Sequence, residues 1–194
     1  AGALPIFADV TDSHTLDPQD IESKITEKTK AIIVVHLYGV VADLDPILAI
    51  ARKHNLYVIE DCAQCFGGVY KGRKTGTVGD VGCFSFCQSK HFTTAGEGGA
   101  VITNNEDLWW NCQSFRDHGY DVKERMRLLE LEKKLYYVHK RVGFNYRMTE
   151  MQSLVGLCEL ERLDNWNLPQ RRKNGRYLAK ELKGHPLVIS GPLD

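Results

Sequence analysis

Residues 56–61 read Leu56-Tyr57-Val58-Ile59-Glu60-Asp61, a short apolar run that ends abruptly in two acidic residues. A continuous apolar run of this length is typical of a strand that is buried in a parallel sheet. Open α/β sheets place their ligands beyond the carboxyl ends of such strands. The run therefore predicts a buried strand that delivers carboxylates to a ligand-binding edge.

A second apolar run, residues 81–86, precedes Lys90 and then a glycine cluster at Gly96, Gly98 and Gly99. The glycines can permit positive φ and close backbone approach, with a plain turn as the alternative. A lysine amine can form a Schiff base with an aldehyde cofactor, and an aspartate can keep a pyridine nitrogen protonated. Either residue alone would be a surface lysine or a strand-end acid. Together, Lys90 and Asp61 predict pyridoxal 5'-phosphate (PLP) as the cofactor.

The rest of the chain alternates strand and helix patterns. Strands are predicted at residues 5–10, 31–37, 56–60, 81–86 and 100–103, with a short hairpin over residues 69–76. Helices are predicted from Asp17-Pro18, from Asp45-Pro46, and over residues 105–117, 121–140 and 149–183. In the last helix we expect Thr149 to be the cap and Pro169 to cause a break or kink. Repeated alternation of this kind predicts an α/β fold with a mostly parallel sheet flanked by helices.

The composition is that of an ordinary globular domain. Hydrophobic residues make up 43% and charged residues 26% of 194 positions, and 25 Lys plus Arg balance 25 Asp plus Glu. This balance predicts neither a nucleic-acid partner nor an anionic-membrane partner. No apolar stretch has the length of a membrane span, and the first residues lack a basic-then-apolar leader. We therefore expect a cytoplasmic protein.

Four of the six cysteines form two close pairs, Cys62 with Cys65 and Cys83 with Cys87. Their spacing is near that of a zinc ribbon, which leaves a zinc-binding or scaffold domain as an alternative function. Cys83, however, falls within an apolar strand pattern, where a free cysteine is usually a small buried residue. We therefore interpret the four thiols as packing residues.

Seven segments, spread over nearly the whole chain, carry a family resemblance. They are Pro5-Ile6-Phe7-Ala8-Asp9-Val10, Thr29-Lys30-Ala31-Ile32-Ile33-Val34-Val35-His36-Leu37-Tyr38-Gly39, Glu60-Asp61-Cys62-Ala63-Gln64, Phe84-Ser85-Phe86 with Lys90, Gly96-Glu97-Gly98-Gly99, Arg116-Asp117-His118-Gly119 and Gly143-Phe144-Asn145-Tyr146-Arg147-Met148-Thr149. In order and spacing they resemble the DegT/StrS-like sugar aminotransferases, a branch of the aspartate-aminotransferase-like, fold-type-I PLP enzymes.

The resemblance implies a role for five residues. Lys90 would form the Schiff base, and Asp61 would pair with the pyridine nitrogen. Gln64 would lie near the cofactor ring and its hydroxyl, and Ser85 would bind the phosphate. Asn145 would reach the phosphate bound by a neighbouring subunit, which implies a homodimer with shared active sites.

The resemblance also implies a reaction. An amino group would pass from an amino-acid donor, glutamate or glutamine, to a keto-sugar, with a nucleotide-linked sugar as the leading acceptor and a cyclitol-like ring as another. One branch of the family replaces the lysine with histidine and removes a sugar hydroxyl. Here Lys90 occupies that position and His91 merely follows it, so we predict amination, with a PLP-dependent sugar dehydratase as the alternative.

By the same resemblance, residues 1–194 would form most of the large PLP-binding domain and the start of the connection to a small C-terminal domain. A phosphate-cradling segment before Gly2 and the C-terminal domain would be absent, so we expect this central fragment alone to be inactive. The connection over residues 116–147 is longer than the family usually has. His36 and Tyr38 follow a predicted strand end, where each can contact cofactor or substrate. For His36 a structural role is an equal alternative.

Overall fold

The computed structural model describes residues 2–134 and 136–185 as an α/β fold. The strands are β1 (Ala31–Val35), β2 (Tyr57–Asp61), β3 (Val69–Tyr70), β4 (Arg73–Lys74), β5 (Val81–Ser85) and β6 (Gly99–Ile102). The helices are α1 (Pro18–Lys24), α2 (Leu44–His54), α3 (Glu106–Arg116), α4 (Val122–Glu132), α5 (Glu150–Arg162) and α6 (Leu168–Leu182). A 3-10 turn covers Leu37–Gly39 and a π-helical turn covers Leu163–Asn167. Ala1, Leu135 and residues 186–194 lie outside the described residues, and Leu135 falls within the helix predicted over residues 121–140.

The main sheet has the strand order β1-β2-β5-β6. The first three strands are parallel, and β6 pairs antiparallel with β5. The register pairs Val35 with Asp61 and Asp61 with Cys83, so the carboxyl ends of three strands meet along one edge. This arrangement confirms the predicted α/β class with a mostly parallel sheet and places the Asp61 end of β2 in the middle of that edge. The predicted hairpin is the separate two-stranded sheet of β3 and β4.

The core packs against one face of the main sheet. Alternate strand residues Ile32, Val34 and Val58 are buried, because successive side chains of a strand point to opposite faces. They contact α1 and α2 through four buried side chains, which are Ile21, Leu44, Ile47 and Ala51. On the opposite face Ile33 remains 61% exposed. The predicted burial of β1 therefore holds for only one of its faces.

The strand predicted at residues 5–10 is wrong for this structure. The segment pairs with no strand among the described residues, and only Val10 makes an isolated bridge, to Leu16. Leu4 and Phe7 are more than four-fifths exposed. Apolar composition favours a strand, but a strand also needs a partner for its backbone groups. The described part of the chain supplies none here.

The helix ends follow the capping signals in the sequence. Asp17 caps α1 by accepting a hydrogen bond from the N–H of Gln19 at 2.9 Å, and Asn105 caps α3 in the same manner. Thr149 and Gln152 form a reciprocal capping box at the start of α5. Pro169 lies in the first turn of α6, where its missing N–H is tolerated, and the π-helical turn directly precedes that helix. The break or kink predicted at Pro169 is therefore a change from the π-helical turn to the α-helix α6.

Two helical predictions needed correction. The helix expected over residues 121–140 is only α4, because Lys133 adopts a left-handed conformation and ends it. The helical spacing of apolar residues over 105–117 also predicts that one side of α3 faces the core, but Trp109 and Phe115 are more than two-fifths exposed. Helical spacing identifies an apolar side, but it does not show what covers that side. No described helix combines the length and the apolar content needed to cross a membrane.

Candidate active site at the carboxyl edge of the sheet

Asp61 ends β2 at the edge where the parallel strands finish. One carboxylate oxygen, Oδ1, accepts the N–H of Ala63 at 3.0 Å, which fixes the side-chain direction. The other oxygen has no hydrogen-bond partner among the described residues. The carboxylate is near enough to Cys83 to help raise the pKa of that thiol, after burial as the larger cause. Asp61 is thus a positioned, half-buried acceptor with one oxygen left for a ligand, which fits a protonated pyridine nitrogen.

Lys90 and Gln64 line one open cavity of about 420 Å³. The complete lining is Tyr38, Gln64, Ser89, Lys90, His91 and Arg171. Within the described part of the chain, no carboxylate lies within 4.0 Å of the Lys90 amine, so no ion pair competes for it. A larger depression near Lys30 and His54 lies at the opposite, amino end of β1 and β2, where open α/β sheets do not place ligands.

The 3-10 turn orients Gln64. Tyr38, in a left-handed conformation with φ of 55°, donates its backbone N–H to the side-chain oxygen Oε1 of Gln64 at 3.0 Å. Because the amide oxygen is used in this way, the Gln64 Nε2 donors are left for the cavity. The Tyr38 side chain is exposed and lines the same cavity. Tyr38 therefore contributes to the site through both backbone and side chain.

His36 is a structural histidine, which decides between the two interpretations left open by the sequence. Its ring is fully buried. Nδ1 accepts the N–H of Ala42 at 3.2 Å, so Nε2 carries the proton and donates to Glu60 Oε2 at 3.1 Å. Both ring nitrogens are therefore used within the fold.

Glu60 is the buried acid that sequence reasoning misplaced. The strand-end pattern predicted that both acids would reach the ligand-binding edge. Glu60 instead follows Val58 on the core face, since strand residues two apart share a face. Its carboxylate accepts hydrogen bonds from His36 and from the backbone N–H groups of Gly76, Val78 and Gly79, the last at 2.6 Å.

The environment keeps Glu60 ionised although it is fully buried. Burial by itself raises the pKa of a carboxyl group, and burial is the largest single influence on Glu60. The hydrogen bonds from His36 and the three backbone N–H groups together outweigh it, so the pKa lies below the ordinary glutamate value. Glu60 thus joins the ends of β1 and β2 to the turn that leads into β5. The available sequence signal was its period-two spacing from Val58.

The cysteines do not form the zinc site of the alternative hypothesis. Cys62 and Cys65 are buried, whereas Cys83 and Cys87 are half-buried. Over residues 2–134 and 136–185, the one group of three potential ligand atoms within 4.8 Å is that of His36, Glu60 and Cys62. Burial, followed by the nearby Glu60 charge, raises the pKa of Cys62 to about 12. Cys62 is therefore a protonated packing group, and among the described residues the four-thiol alternative lacks its ligand set.

The loop that carries Lys90 is anchored on both sides. Its base is closed by the hydrogen bond from the Phe86 N–H to the Gly98 carbonyl at 2.7 Å. Beside Lys90, Phe92 is buried, and its ring stacks on Phe66 with centroids 4.8 Å apart. A side chain at Gly98 would meet Thr94 and Phe86, so close approach there requires glycine.

Ser85 begins the same loop, at the end of β5. It pairs with Gly99 in the antiparallel ladder, and its hydroxyl oxygen accepts the N–H of Cys87 at 3.3 Å. The hydroxyl hydrogen has no acceptor among the described residues. Ser85 thus lies at the carboxyl edge with Asp61 and keeps one donor for a ligand, as a phosphate-binding role requires.

Asn145 lies apart from this group in its own chain. It is exposed and bridges to Asp117 at the end of α3, and it does not line the Lys90 cavity. Backbone hydrogen bonds from His118 to Phe144 and from Tyr146 to Arg116 hold its segment in place. The structure therefore brings Lys90 and Gln64 together and sets Asp61 and Ser85 along the same edge, but it leaves Asn145 outside.

Two residues of the site, Asn167 and Arg171, were missed by the sequence analysis. Asn167 donates its side-chain N–H to the His91 carbonyl at 3.0 Å, and Arg171 lines the cavity. Both come from the helical region more than 70 residues after Lys90. No local pattern in the sequence signals that this region packs against the Lys90 loop.

A mostly parallel α/β sheet that presents a strand-end aspartate and an unpaired lysine at its carboxyl edge is typical of PLP-dependent enzymes, in which lysine holds the aldehyde and an acid pairs with the ring nitrogen. The sequence profile of the DegT/DnrJ/EryC1/StrS aminotransferase family matches residues 1–193. The chain therefore belongs to this aminotransferase family, as the sequence resemblance predicted. Family membership also confirms PLP as the cofactor.

Curated relatives and solved structures agree with this assignment. The chain is 44% identical to a GDP-perosamine synthase of Caulobacter vibrioides over 92% of its own length and 45% of that enzyme. It is 41% identical to a UDP-N-acetyl-3-dehydro-alpha-D-glucosamine 3-aminotransferase of Acidithiobacillus ferrooxidans, covering 97% of the chain and 47% of the relative. The structure of S. venezuelae DesV in complex with a ketimine intermediate superimposes with a TM-score of 0.83 at 35% identity, over 98% of this chain and 49% of DesV. The chain thus spans about half the length of the relatives it matches, and the predicted domain division stays a prediction.

Proposed function

We propose that the protein is a PLP-dependent aminotransferase that transfers an amino group from glutamate or glutamine to a nucleotide-linked keto-sugar. The observation that carries the proposal is the cavity in which the unpaired Lys90 amine lies beside Gln64, at the sheet edge that Asp61 also occupies. The names of the relatives, a GDP-perosamine synthase and a UDP-sugar aminotransferase, support an amino-sugar product. Lys90 itself favours amination over the dehydratase alternative.

When bound, PLP supplies the electron sink that stabilises negative charge at the donor's α-carbon. Asp61, through its unpaired oxygen, would accept a hydrogen bond from the protonated ring nitrogen and so keep the ring positively charged. Lys90 would hold the cofactor through its aldehyde carbon. As a general base and acid, the Lys90 amine would move a proton between the donor α-carbon and the C4′ carbon of the cofactor. The same groups work in the opposite direction on the keto-sugar.

The remaining predicted residues bind the cofactor in this proposal. Gln64 directs its Nε2 donors to the ring hydroxyl, and Ser85 donates its hydroxyl hydrogen to the phosphate. Asn145 donates its side-chain amide to the phosphate in the site of a second subunit, since in its own chain it lies outside the Lys90 cavity. The enzyme would therefore work as a homodimer with shared sites.

Isotope transfer tests the reaction. The protein encoded by the complete gene is loaded with PLP and incubated with amino-¹⁵N glutamate or glutamine and a panel of nucleotide-linked keto-sugars. Mass spectrometry should show ¹⁵N in the sugar product, and Lys90→Ala should abolish it. The matched control is Lys71→Ala, which removes an exposed lysine whose amine pairs with Asp45 and which does not line the cavity.

The contradicting results are distinct. A sugar product that has lost a hydroxyl group without gaining nitrogen would establish the dehydratase alternative. Unchanged transfer by Lys90→Ala would remove the central residue of the proposal.

A further inference from the structure

The cavity beside Lys90 has a positive character that the proposed covalent chemistry does not explain. Two basic side chains, Lys90 and Arg171, line it, and no carboxylate is among its lining residues. Lys90 is committed to the cofactor in the proposed function. Arg171 has no role in the proposed covalent chemistry. Over the described ranges 2–134 and 136–185, no acidic group lies within 4.0 Å of its guanidinium.

The guanidinium of Arg171 is nevertheless held in place. Its Nε donates to Asn167 Oδ1 at 2.9 Å, and Asn167 Nδ2 donates to the His91 carbonyl at 3.0 Å. One amide side chain thus connects α6 to the residue that follows Lys90. Because only Nε is used, the two terminal nitrogens of Arg171 are left with their N–H groups for a ligand.

The other basic side chains near this helical region have different hydrogen-bond or ion-pair partners. Arg162 pairs with Glu159, and Lys74 from the hairpin pairs with Asp164. Arg172 points elsewhere, with Nη2 near the carbonyl of Gly67 at 3.4 Å. Asn167, which orients Arg171, is the last residue of the π-helical turn, and such turns often occur at functional sites. Arg171 therefore differs from these neighbours in that it lines the Lys90 cavity with an oriented guanidinium and no anionic partner among the described residues.

We propose that Arg171 binds an anionic oxygen group of a substrate that enters the Lys90 cavity, either the carboxylate of the amino-acid donor or the diphosphate of the sugar nucleotide. A guanidinium matches both groups, because its parallel N–H donors form paired hydrogen bonds to two oxygens. The proposal rests on the proposed function and adds a substrate-binding residue to it.

Binding measurements on the protein encoded by the complete gene, loaded with PLP, test the proposal. Calorimetry uses two unreactive probes: glutarate, which carries the carboxylates of the donor, and GDP or UDP, which carries the diphosphate. Arg171→Gln should weaken one of the two by about 10-fold or more, the scale of one charge-assisted hydrogen bond. Arg172→Gln is the matched control and should leave both affinities unchanged.

The pattern of loss assigns the source of the anion. Weakened glutarate binding with intact nucleotide binding identifies the donor carboxylate, and the reverse identifies the sugar diphosphate. The corresponding half-reaction, with glutamate or with the keto-sugar, should show a raised KM with a smaller change in kcat. Unchanged binding of both probes overturns the proposal, as does a loss confined to PLP affinity, which would assign Arg171 to the cofactor phosphate. Since the probes do not react, these outcomes are independent of whether nitrogen transfer is observed.

Discussion

The adjacent acids Glu60 and Asp61 of β2 lie on opposite faces of the strand and have different roles. Glu60 points into the core, where four hydrogen bonds stabilise its charged carboxylate, whereas Asp61 points to the other face and keeps one oxygen free. The division follows from the period-two geometry of a strand. The sequence predicted the strand and Asp61, but the four donors to Glu60 come from His36 and from a turn 16 or more positions away, which no local pattern specifies.

Replacing Asp61 with asparagine should impair chemistry and spare the fold. The amide no longer holds the proton of the ring nitrogen, so the cofactor loses much of its capacity to accept electrons. We expect the covalent link to Lys90 to persist and the single-turnover rate of amino transfer to fall by about 100-fold or more, the scale of losing one charge-stabilising group. Asp45→Asn, at an exposed acid in α2, is the control. A near-normal single-turnover rate for Asp61→Asn would make Asp61 only a strand end.

Replacing Glu60 with glutamine should instead destabilise the fold. The glutamine NH₂ group would face backbone N–H donors, and one acceptor oxygen would be lost from a fully buried site. We expect the free energy of unfolding at pH 7 to fall by about 3–5 kcal/mol, the scale of breaking a buried charged network. Urea denaturation measures it, with the exposed Glu130→Gln as control. A change below about 0.5 kcal/mol, the usual size for a surface substitution, would contradict the assigned network.

The Glu60 network also predicts a pH dependence with a definite sign. Its folded-state pKa is lowered, so the unfolded chain takes up the proton first as the pH falls. The stabilisation is therefore complete above the ordinary glutamate pKa and is lost as the pH drops through the lower folded-state value. Glu60→Gln should lack this part of the acid sensitivity.

At the scale of elements, the sequence predicted those features that local chemistry determines. The sequence predicted the apolar runs of β1, β2 and β5 and the caps Asp17 and Thr149, and the structure contains them all. The features that the sequence did not predict depend on residues far away in the chain. Residues 5–10 lack a pairing partner among the described residues, and the antiparallel direction of β6 is not encoded in its composition. The contact of Asn167 with the Lys90 loop spans 76 positions, so no local sequence pattern predicts it either.

The start of α5 offers a test of the capping argument. Thr149 and Gln152 form the capping box, and Gln152 also donates to the Glu97 carbonyl at 2.9 Å, next to the glycines of the Lys90 loop. Thr149→Ala should lower the free energy of unfolding by about 1 kcal/mol, the usual cost of losing an N-cap. Ser153→Ala is the control, since its hydroxyl only bonds back to the Thr149 carbonyl within the helix. Equal stabilities of the two variants in thermal or denaturant unfolding would show that the capping box contributes nothing.

At the scale of the whole molecule, large apolar areas of the described chain are uncovered. One is the outer face of the main sheet, where Ile33, Tyr57 and Val101 are exposed. Another is the side of α5 that carries Met151, Leu154 and Leu157. Parallel sheets are usually covered on both faces, and contiguous apolar surface commonly marks a contact with further protein. Both areas are compatible with the proposed dimer.

Mixing subunits tests whether Asn145 acts across a subunit boundary. Full-length Lys90→Ala and Asn145→Ala proteins, each inactive or nearly so, are combined to form heterodimers. If each site takes Lys90 from one chain and Asn145 from the other, one site carries both lesions and the other is intact. Activity should then recover towards half that of the unmutated dimer, whereas Lys90→Ala mixed with itself should stay inactive. Confirmed heterodimers without recovery would place both residues in the site of one chain.

Peptide mapping tests directly whether Lys90 holds the cofactor. The protein encoded by the complete gene is incubated with PLP, reduced with borohydride, digested and analysed by mass spectrometry. We expect a single reduced pyridoxyl adduct on Lys90 and loss of the cofactor's bound absorbance band in Lys90→Ala. An adduct on Lys71 or Lys74, with turnover retained when Lys90 is replaced, would contradict it.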